Sequence, residues 1–217
     1  MKKEDLPQAT LERLPLYYRT LQQLESRGFE TVSSQQFAGF LNIKAETLRK
    51  DLAACGNFGV RSVGYYVAEL RERLENFLGL NYHRKIGIVG AGNLGLALAV
   101  EESFIELGFE VAAIFDKDES LFGEEIGDVK IYDFAKIESI AQRKMIDIGV
   151  ITVTKDSAQE AADALVKAGV SGIWNFAPIR LFVPANVQVV DADLSFSLSV
   201  LNYYVTEAER SKDKFKR

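Results

Sequence analysis

Apolar residues before position 80 recur at steps of three and four, which is the spacing of amphipathic helices. This pattern predicts a first helix over residues 10–24, ending near Gly28, and a later helix that closes the segment. The residues of the first apolar face are Leu11, Leu14, Tyr17, Tyr18, Leu21 and Leu24. Those of the closing helix are Leu70, Leu74, Phe77 and Leu78.

Two short helices are predicted between these, with a tight turn around Asn42 separating them. Ser33 with Gln36 three positions later is a capping box, which predicts the start of a helix. Its buried residues are predicted to be Phe37, Phe40 and Leu41. The next helix follows Lys44, and this order of helix, tight turn and helix is the arrangement of a DNA-reading helix-turn-helix.

The outer face of the second short helix is a candidate DNA-binding surface, because Ala45, Leu48 and Leu52 share the opposite face. Hydroxyl and cationic side chains recognise base edges and phosphates in the major groove. The candidate contacts are Lys44, Thr47, Arg49 and Lys50. A solvated helix face with an ordinary mixture of charges explains the same residues equally well.

Glycines bound a β-branched and aromatic run between Gly56 and Val67, which predicts a small hairpin. A hairpin directly after a recognition helix is the wing of a winged-helix domain, and Arg61 at its tip suits a narrow minor groove. The alternative is a structural hairpin with an exposed arginine. The predicted DNA-binding domain covers residues 1–82, with the helix-turn-helix at about 17–56 and the wing at about 57–66.

Beyond residue 83, short apolar runs alternate with amphipathic stretches. This alternation predicts an α/β domain over residues 83–192, with a doubly wound, mainly parallel sheet. The predicted strands cover 86–89, 111–115, 129–132, 148–153, 172–176 and 187–190. A helix is predicted after the first strand, continuing through Leu107, and others over 135–144 and 158–168.

A GxGxxG fingerprint joins the first of these strands to the first helix. Its first glycine permits a tight turn, the second lets the backbone approach a pyrophosphate at the helix N-terminus, and the third allows close helix packing. The next strand ends in Asp116, near the spacing at which a carboxylate accepts the ribose hydroxyls of NAD, whereas Lys117 keeps NADP as an alternative. A merely structural glycine turn is the other interpretation. The fingerprint residues are Gly90, Ala91, Gly92, Asn93, Leu94 and Gly95.

Later strand ends are expected to face the nicotinamide end of such a dinucleotide, because ligands bind at the carboxyl ends of parallel strands in Rossmann folds. The candidate residues are Thr152, Thr154, Asn175, Phe176 and Pro178. Simple packing at strand ends explains each of them equally well. The domain has no histidine after His83 to serve as a general acid or base, so the chain is predicted not to be an enzyme.

Charge and composition refine this picture. The net charge of -5 combines +3 over residues 1–85 with -8 over the remainder, which fits a cationic module joined to an acidic one. One cysteine and one histidine leave no internal disulfide and too few ligands for a typical zinc site, so no metal is expected. No apolar run approaches the roughly 20 residues of a membrane span, so we expect a cytoplasmic protein without a membrane partner.

A last helix is predicted over residues 194–210. Its apolar surface is broad for a terminal helix, which fits either docking on its own domain or the formation of a dimer. A dimer is the sharper hypothesis, because a helix-turn-helix protein that reads a two-fold operator needs one.

Several segments, in order and spacing, resemble the Rex family of redox-sensing transcriptional repressors over nearly the whole chain. The segments are 13–19, 32–34, 47–52, 56–61, 90–95, 175–178 and 193–195. The resemblance implies a homodimer in which a C-terminal helix, within 193–217, is swapped under the partner. It also implies that NADH binding closes the dimer and releases pseudo-palindromic, double-stranded operator DNA, while NAD permits repression. Family members link Asp193 with Arg13 as part of this switch, and both residues are present.

The chain departs from the family pattern at three places. Leu96 replaces an Arg or Gln, Glu101 replaces a tyrosine, and Ala53 to Cys55 replace Ser-Tyr-Phe. If the tyrosine caps the nicotinamide, Glu101 cannot do so. Two alternatives therefore stay open: a winged-helix regulator that answers to CoA or an adenine nucleotide, and a small NAD-dependent reductase with a helical appendage.

Overall fold

The computed structural model describes residues 6–214, except for the side chains of Leu194 and of residues 211–214. The chain divides into two compact units, Met1–Tyr82 and His83–Arg217. The elements of the first unit are α1 (Gln8–Ser26), β1 (Thr31–Val32), α2 (Ser34–Phe40), α3 (Ala45–Cys55), β2 (Tyr65–Tyr66) and α4 (Val67–Leu78).

The first unit has the helical core that the periodicity predicts. Ser33 caps α2 through a complete capping box, and α3 begins directly after Lys44. The side chains with no exposed surface include Leu14, Leu21, Phe37, Leu48 and Leu74. Two expectations were wrong, because Phe40 and Phe77 are 50% and 40% exposed; the Phe40 ring packs edge-on against Phe29 at the surface.

The predicted hairpin is reduced to a tight turn. Val60 and Gly64 form a single antiparallel bridge, and the returning strand β2 pairs with β1 instead of with the residues before the turn. Gly64 has a φ of 102°, and a Cβ there would collide with the backbone of Val32 and Ser33. The close approach of the two chain segments therefore requires glycine.

The second unit contains seven strands, which are β3 (Arg84–Val89), β4 (Phe109–Asp116), β5 (Glu125–Ile126), β6 (Val129–Asp133), β7 (Ile148–Ile151), β8 (Gly172–Asn175) and β9 (Gln188–Asp191). They form one sheet in the order β5-β6-β4-β3-β7-β8-β9. All pairings are parallel except that of β5, a short edge strand that the sequence did not predict. The remaining six strands follow the doubly wound order of a Rossmann fold, as predicted.

Helices cover both faces of this sheet. One core cluster packs α7 (Ile137–Lys144) and α8 (Lys155–Ala168) around Phe115 and Leu165, and the other packs α5 (Asn93–Ala99) and α6 (Glu102–Glu106) around Ile88 and Ile114. The expected continuous helix through Leu107 is broken, because the backbone of Glu101 is extended and its carboxylate accepts a hydrogen bond from the Ser103 amide. The last helix of the unit is α9 (Leu194–Lys214).

One buried charge joins α1 to α3. The carboxylate of Asp51, on α3, accepts hydrogen bonds from the Arg13 Nε at 2.7 Å and Nη2 at 2.8 Å, the Tyr17 hydroxyl at 2.6 Å and the Thr10 hydroxyl at 2.9 Å. Burial alone would raise the pKa of Asp51, but the hydrogen bonds from Arg13, Tyr17 and Thr10 outweigh it and lower the pKa. The ionised carboxylate therefore fixes the second helix of the helix-turn-helix against α1.

Replacement of this carboxylate is expected to destabilise the first unit. Asp51→Asn leaves Arg13 without its anionic partner, so the free energy of unfolding should fall by about 2–4 kcal/mol at pH 7. The folded-state pKa of Asp51 lies below its ordinary value of 3.8, so this stabilisation is present above about pH 4 and is lost as the pH falls through the folded-state pKa. Denaturant titrations at pH 7 and pH 3 measure both effects.

The matched control is Glu46→Gln, which removes an exposed carboxylate from the same helix and should leave stability nearly unchanged. An equal loss of stability for Asp51→Asn at pH 7 and pH 3 would contradict the role of the ionised Asp51.

Candidate functional site

A cleft of about 320 Å³ lies at the carboxyl ends of β3, β4 and β7, where open parallel sheets bind their ligands. It brings together five of the predicted ligand-binding residues: Gly90, Gly92, Asp116, Thr152 and Thr154. The rest of its lining is largely apolar, from Val89, Phe115, Phe134, Val153 and Ala161, with Lys117 and Ser157 at polar positions. A larger, open cavity of about 700 Å³ along residues 180–191 contains none of the predicted residues.

The three fingerprint glycines meet different constraints. A Cβ on Gly90, where φ is 108°, would lie 2.9 Å from Val153, and a Cβ on Gly95 would collide with the Gly90 carbonyl oxygen. These two glycines are therefore required by the fold itself. Gly92 has no atom within 4 Å of a Cβ position, so the protein's own packing does not require glycine there. A ligand that approaches the backbone at Gly92 would explain it.

Thr152 holds the glycine-rich turn from the neighbouring strand end. Its hydroxyl lies 2.9 Å from the carbonyl oxygen of Gly90 and 3.0 Å from that of Val89 and donates to these acceptors. The hydroxyl therefore supports the turn, although the prediction placed Thr152 at the nicotinamide end. Thr154, also predicted there, is exposed at the start of α8.

Asp116 lies at the end of β4, beside the glycine-rich turn. Its Oδ2 accepts a hydrogen bond from the Ala91 amide at 2.6 Å, and its Oδ1 accepts one from the Asp118 amide at 2.9 Å. Each carboxylate oxygen has a second lone pair, so both can still accept a ribose hydroxyl. Of the other fingerprint residues, Asn93 begins α5 with an exposed side chain, and Leu94 is half-buried.

The Asn175 to Pro178 turn does not line the cleft. The amide nitrogen of Asn175 donates to Asp191 and to the carbonyls of Ala177 and Ile179, and its oxygen accepts from the Ala177 amide. The side chain is 1% exposed and shapes the turn. In this structure it therefore does not present a free polar group to a ligand, although the sequence analysis predicts it as a ligand contact. The neighbouring Phe176 packs against Trp174, with ring centroids 4.5 Å apart, and Pro178 is exposed.

The outer face of α3 carries the predicted DNA-binding cations. Arg49 and Lys50 are exposed, and Lys50 pairs with Glu46 across one helical turn at 2.8 Å. Thr47 is half-buried, and Lys44 is exposed at the N-terminus of the helix. Arg61 is also exposed, within the tight turn between Val60 and Gly64.

The predicted switch residues lie in different units. Arg13 is committed to Asp51 within the first unit. Asp193 is exposed in the second unit and accepts hydrogen bonds from the amide and hydroxyl of Ser195, which lower its pKa. Sequence reasoning missed Asp51, because an acidic residue between a lysine and a leucine reads as another exposed charge on an amphipathic helix.

Neither a metal-binding group nor a membrane-spanning helix occurs in the described part of the chain. Residues 6–214 contain no group of three or more side chains that could hold a metal ion. None of the described helices is long and apolar enough to cross a membrane.

Comparison with known proteins identifies both units. Residues 81–179 match the family described as "CoA binding domain", and residues 5–53 match "Putative DNA-binding protein N-terminus". The chain is 41% identical over 208 residues to the redox-sensing transcriptional repressor Rex of Clostridium botulinum strain Hall. The aligned region covers 96% of this chain and 99% of the relative. The Rex protein of Clostridium acetobutylicum is 39% identical over 212 residues, covering 98% and 99%.

Solved structures agree with these relatives. The crystal structure of RSP in complex with NAD+ and operator DNA matches with a TM-score of 0.89 at 40% identity, covering 96% of each chain. The structure of RSP with NADH matches with a TM-score of 0.87, and RSP is described as a Rex-family repressor. With a winged helix-turn-helix unit, a Rossmann unit and this similarity along nearly its whole length, the chain belongs to the Rex family of redox-sensing transcriptional repressors.

Proposed function

We propose that this chain represses transcription by binding double-stranded operator DNA and that it releases the DNA when NADH occupies the Rossmann cleft. The observation that carries the proposal is the position of Gly92. It is a glycine that the protein's packing does not need, facing a cleft that also holds a carboxylate at the ribose position. The same chain carries exposed cations on the second helix of a helix-turn-helix.

The lining of the cleft suits the adenosine and pyrophosphate parts of a dinucleotide. The backbone at Gly92 and the first amides of α5 would hold the pyrophosphate, and Asp116 would accept the hydroxyls of the adenosine ribose. The apolar residues Phe134, Val153 and Ala161 would receive the adenine ring. Bound NAD(H) supplies the signal, because the nicotinamide is cationic when oxidised and neutral when reduced.

Redox control of DNA affinity requires reciprocal coupling. A ligand that weakens DNA binding must itself bind less tightly to the DNA-bound protein. The resemblance places Asp193 and Arg13 in this coupling, and the bond between Arg13 and Asp51 connects that arginine directly to the recognition helix α3. We infer that Arg13 is the point at which ligand-dependent changes reach the DNA-binding surface.

We also infer that the chain is a regulator and not an enzyme. The one histidine, His83, precedes β3 and does not line the cleft. Thr152 and Asp116, the polar groups near the glycine-rich turn, are both engaged in backbone hydrogen bonds. A CoA-responsive regulator is the second candidate, since the Rossmann unit matches a CoA-binding family.

Dimer formation is proposed from α9. Large apolar side chains cover more than half of the circumference of this helix, and a polar stripe of Ser195, Ser199, Asn202 and Thr206 occupies the rest. A helix with so broad an apolar surface is stable when that surface is covered. A second copy of the chain, with α9 swapped beneath it, would cover this apolar surface and pair two recognition helices for a pseudo-palindromic site. The apolar side chains, 41–69% exposed in the single chain, are Phe196, Leu198, Val200, Leu201, Tyr203, Tyr204 and Val205.

Gly92→Ala should weaken NADH binding by at least about tenfold without destabilising the fold, because the added Cβ occupies the space of the pyrophosphate. Fluorescence titration of NADH measures the affinity, and thermal unfolding measures the stability. The matched control is Gly172→Ala in β8, where a Cβ makes only ordinary contacts and NADH binding should be unchanged. Wild-type affinity in Gly92→Ala would rule out the proposed pyrophosphate position, and CoA binding in preference to NADH would favour the second candidate.

Arg49→Ala should weaken DNA binding and reduce the slope of log affinity against log salt by about one if Arg49 contacts a phosphate. The probe is a duplex that the wild-type protein selects from a randomised pool. Arg143→Ala, which removes an exposed arginine on α7 of the second unit, serves as the control and should leave the slope unchanged. Unchanged affinity in Arg49→Ala would exclude Arg49 from the DNA interface.

Leu201→Glu should dissociate the dimer, because the carboxylate cannot be buried without a partner. Light scattering after size exclusion should then give a mass of 24.2 kDa where the wild-type protein gives twice that value. Arg210→Glu, near the exposed end of the helix, should remain dimeric. A wild-type protein that is monomeric at micromolar concentration would refute the dimer.

A further inference from the structure

An ion pair lies at the rim of the nucleotide cleft, directly beside the ribose position. The Lys117 ammonium lies 2.6 Å from a carboxylate oxygen of Glu160 and 5.2 Å from the centre of the Phe134 ring. Lys117 follows Asp116 at the end of β4, and Glu160 precedes Ala161 on α8. Lys117, Asp116, Phe134 and Ala161 all line the cleft.

A lysine at this position would ordinarily attract a phosphate on the adenosine ribose. Cationic side chains just after the second strand of a Rossmann fold accommodate the 2′-phosphate of NADP. In this chain the cation is already engaged by Glu160 on one side and by the Phe134 ring on the other. Its charge is therefore compensated before a ligand arrives.

With Lys117 and Glu160 paired, the uncompensated charge at the ribose position is the carboxylate of Asp116. A ribose phosphate carries close to two negative charges and would approach this carboxylate with no uncompensated cation beside it. An unmodified ribose brings only neutral hydroxyls, which the Asp116 carboxylate accepts as hydrogen bonds. The ion pair thus makes the Lys117 charge unavailable to a phosphorylated ribose and leaves the binding of an unmodified ribose unaffected.

We propose that Glu160 is a specificity-determining residue, which neutralises Lys117 and so selects NAD(H) against ligands that carry a phosphate on the adenosine ribose. Those ligands are NADP(H), with its 2′-phosphate, and CoA, with its 3′-phosphate. The inference rests on the proposed function and deepens it, because it names the feature that separates NAD(H) from the nucleotides of the alternative hypothesis.

The test compares NADH with NADPH, two probes that share the nicotinamide and differ only in the 2′-phosphate. The measured quantity is the ratio of the Kd of NADPH to the Kd of NADH, from the intrinsic fluorescence of each. Glu160→Gln frees Lys117 and should lower the ratio by about fivefold, the upper range for an exposed ion pair. CoA should likewise displace NADH more effectively from Glu160→Gln than from the wild-type protein.

Two further variants isolate the cause. The double variant Glu160→Gln with Lys117→Ala should return the ratio to the wild-type value, because the freed cation is then absent. Glu138→Gln removes an exposed carboxylate from the first turn of α7 and should leave the ratio unchanged. A loss of selectivity that persists in the double variant would show that Lys117 is not responsible and would overturn the inference.

The two levels of the hypothesis fail in different ways. A wild-type protein that binds neither NADH nor NADPH overturns the proposed function, and this inference with it. NADH binding by the wild-type protein, with the same ratio in Glu160→Gln, overturns the inference alone.

Discussion

The buried carboxylate of Asp51 is the interaction on which the geometry of the DNA-binding unit depends. A charge removed from water is tolerated only when donors surround it, and here the donors of Arg13, Tyr17 and Thr10 all lie on α1. The angle and register of α3 relative to α1 are therefore set by directional bonds as well as by apolar packing. Apolar side chains alone would allow small rotations of α3, which would move the exposed cations relative to a groove.

The Rossmann unit depends on a different constraint, which is steric. The glycine-rich turn approaches α5 and the end of β7 so closely that Gly90 and Gly95 cannot carry side chains. The Thr152 hydroxyl then ties the turn to the neighbouring strand, and the Ala91 amide ties it to Asp116. These contacts hold the backbone at Gly92 beside an open cleft, so the site is organised before any ligand binds.

Much of this fold follows from periodicity and from short motifs, because both report local requirements. The capping box at Ser33 and the six parallel strands are of this kind. Features that depend on tertiary partners did not follow from the sequence. The hydrogen-bond partners of Asp51 lie 34–41 residues away in the sequence. The side chain of Asn175 is engaged in hydrogen bonds within its own turn and with Asp191. The pair between Lys117 and Glu160, 43 residues apart, also emerges only when β4 and α8 meet at the cleft.

The described cleft cannot by itself distinguish the two redox forms. NADH and NAD share the adenosine and the pyrophosphate, so contacts at Gly92 and Asp116 contribute equally to the binding of both, and these contacts give no difference in the response to the two forms. On the proposed function, discrimination must come from groups at the nicotinamide. Glu101 stands where the family has a tyrosine, and hydrogen bonds from Ser103 lower its pKa, so it carries a negative charge at neutral pH. If the tyrosine of the family pattern caps the nicotinamide, a charged carboxylate at Glu101 cannot replace it, and any preference between the two redox forms then requires a different contact.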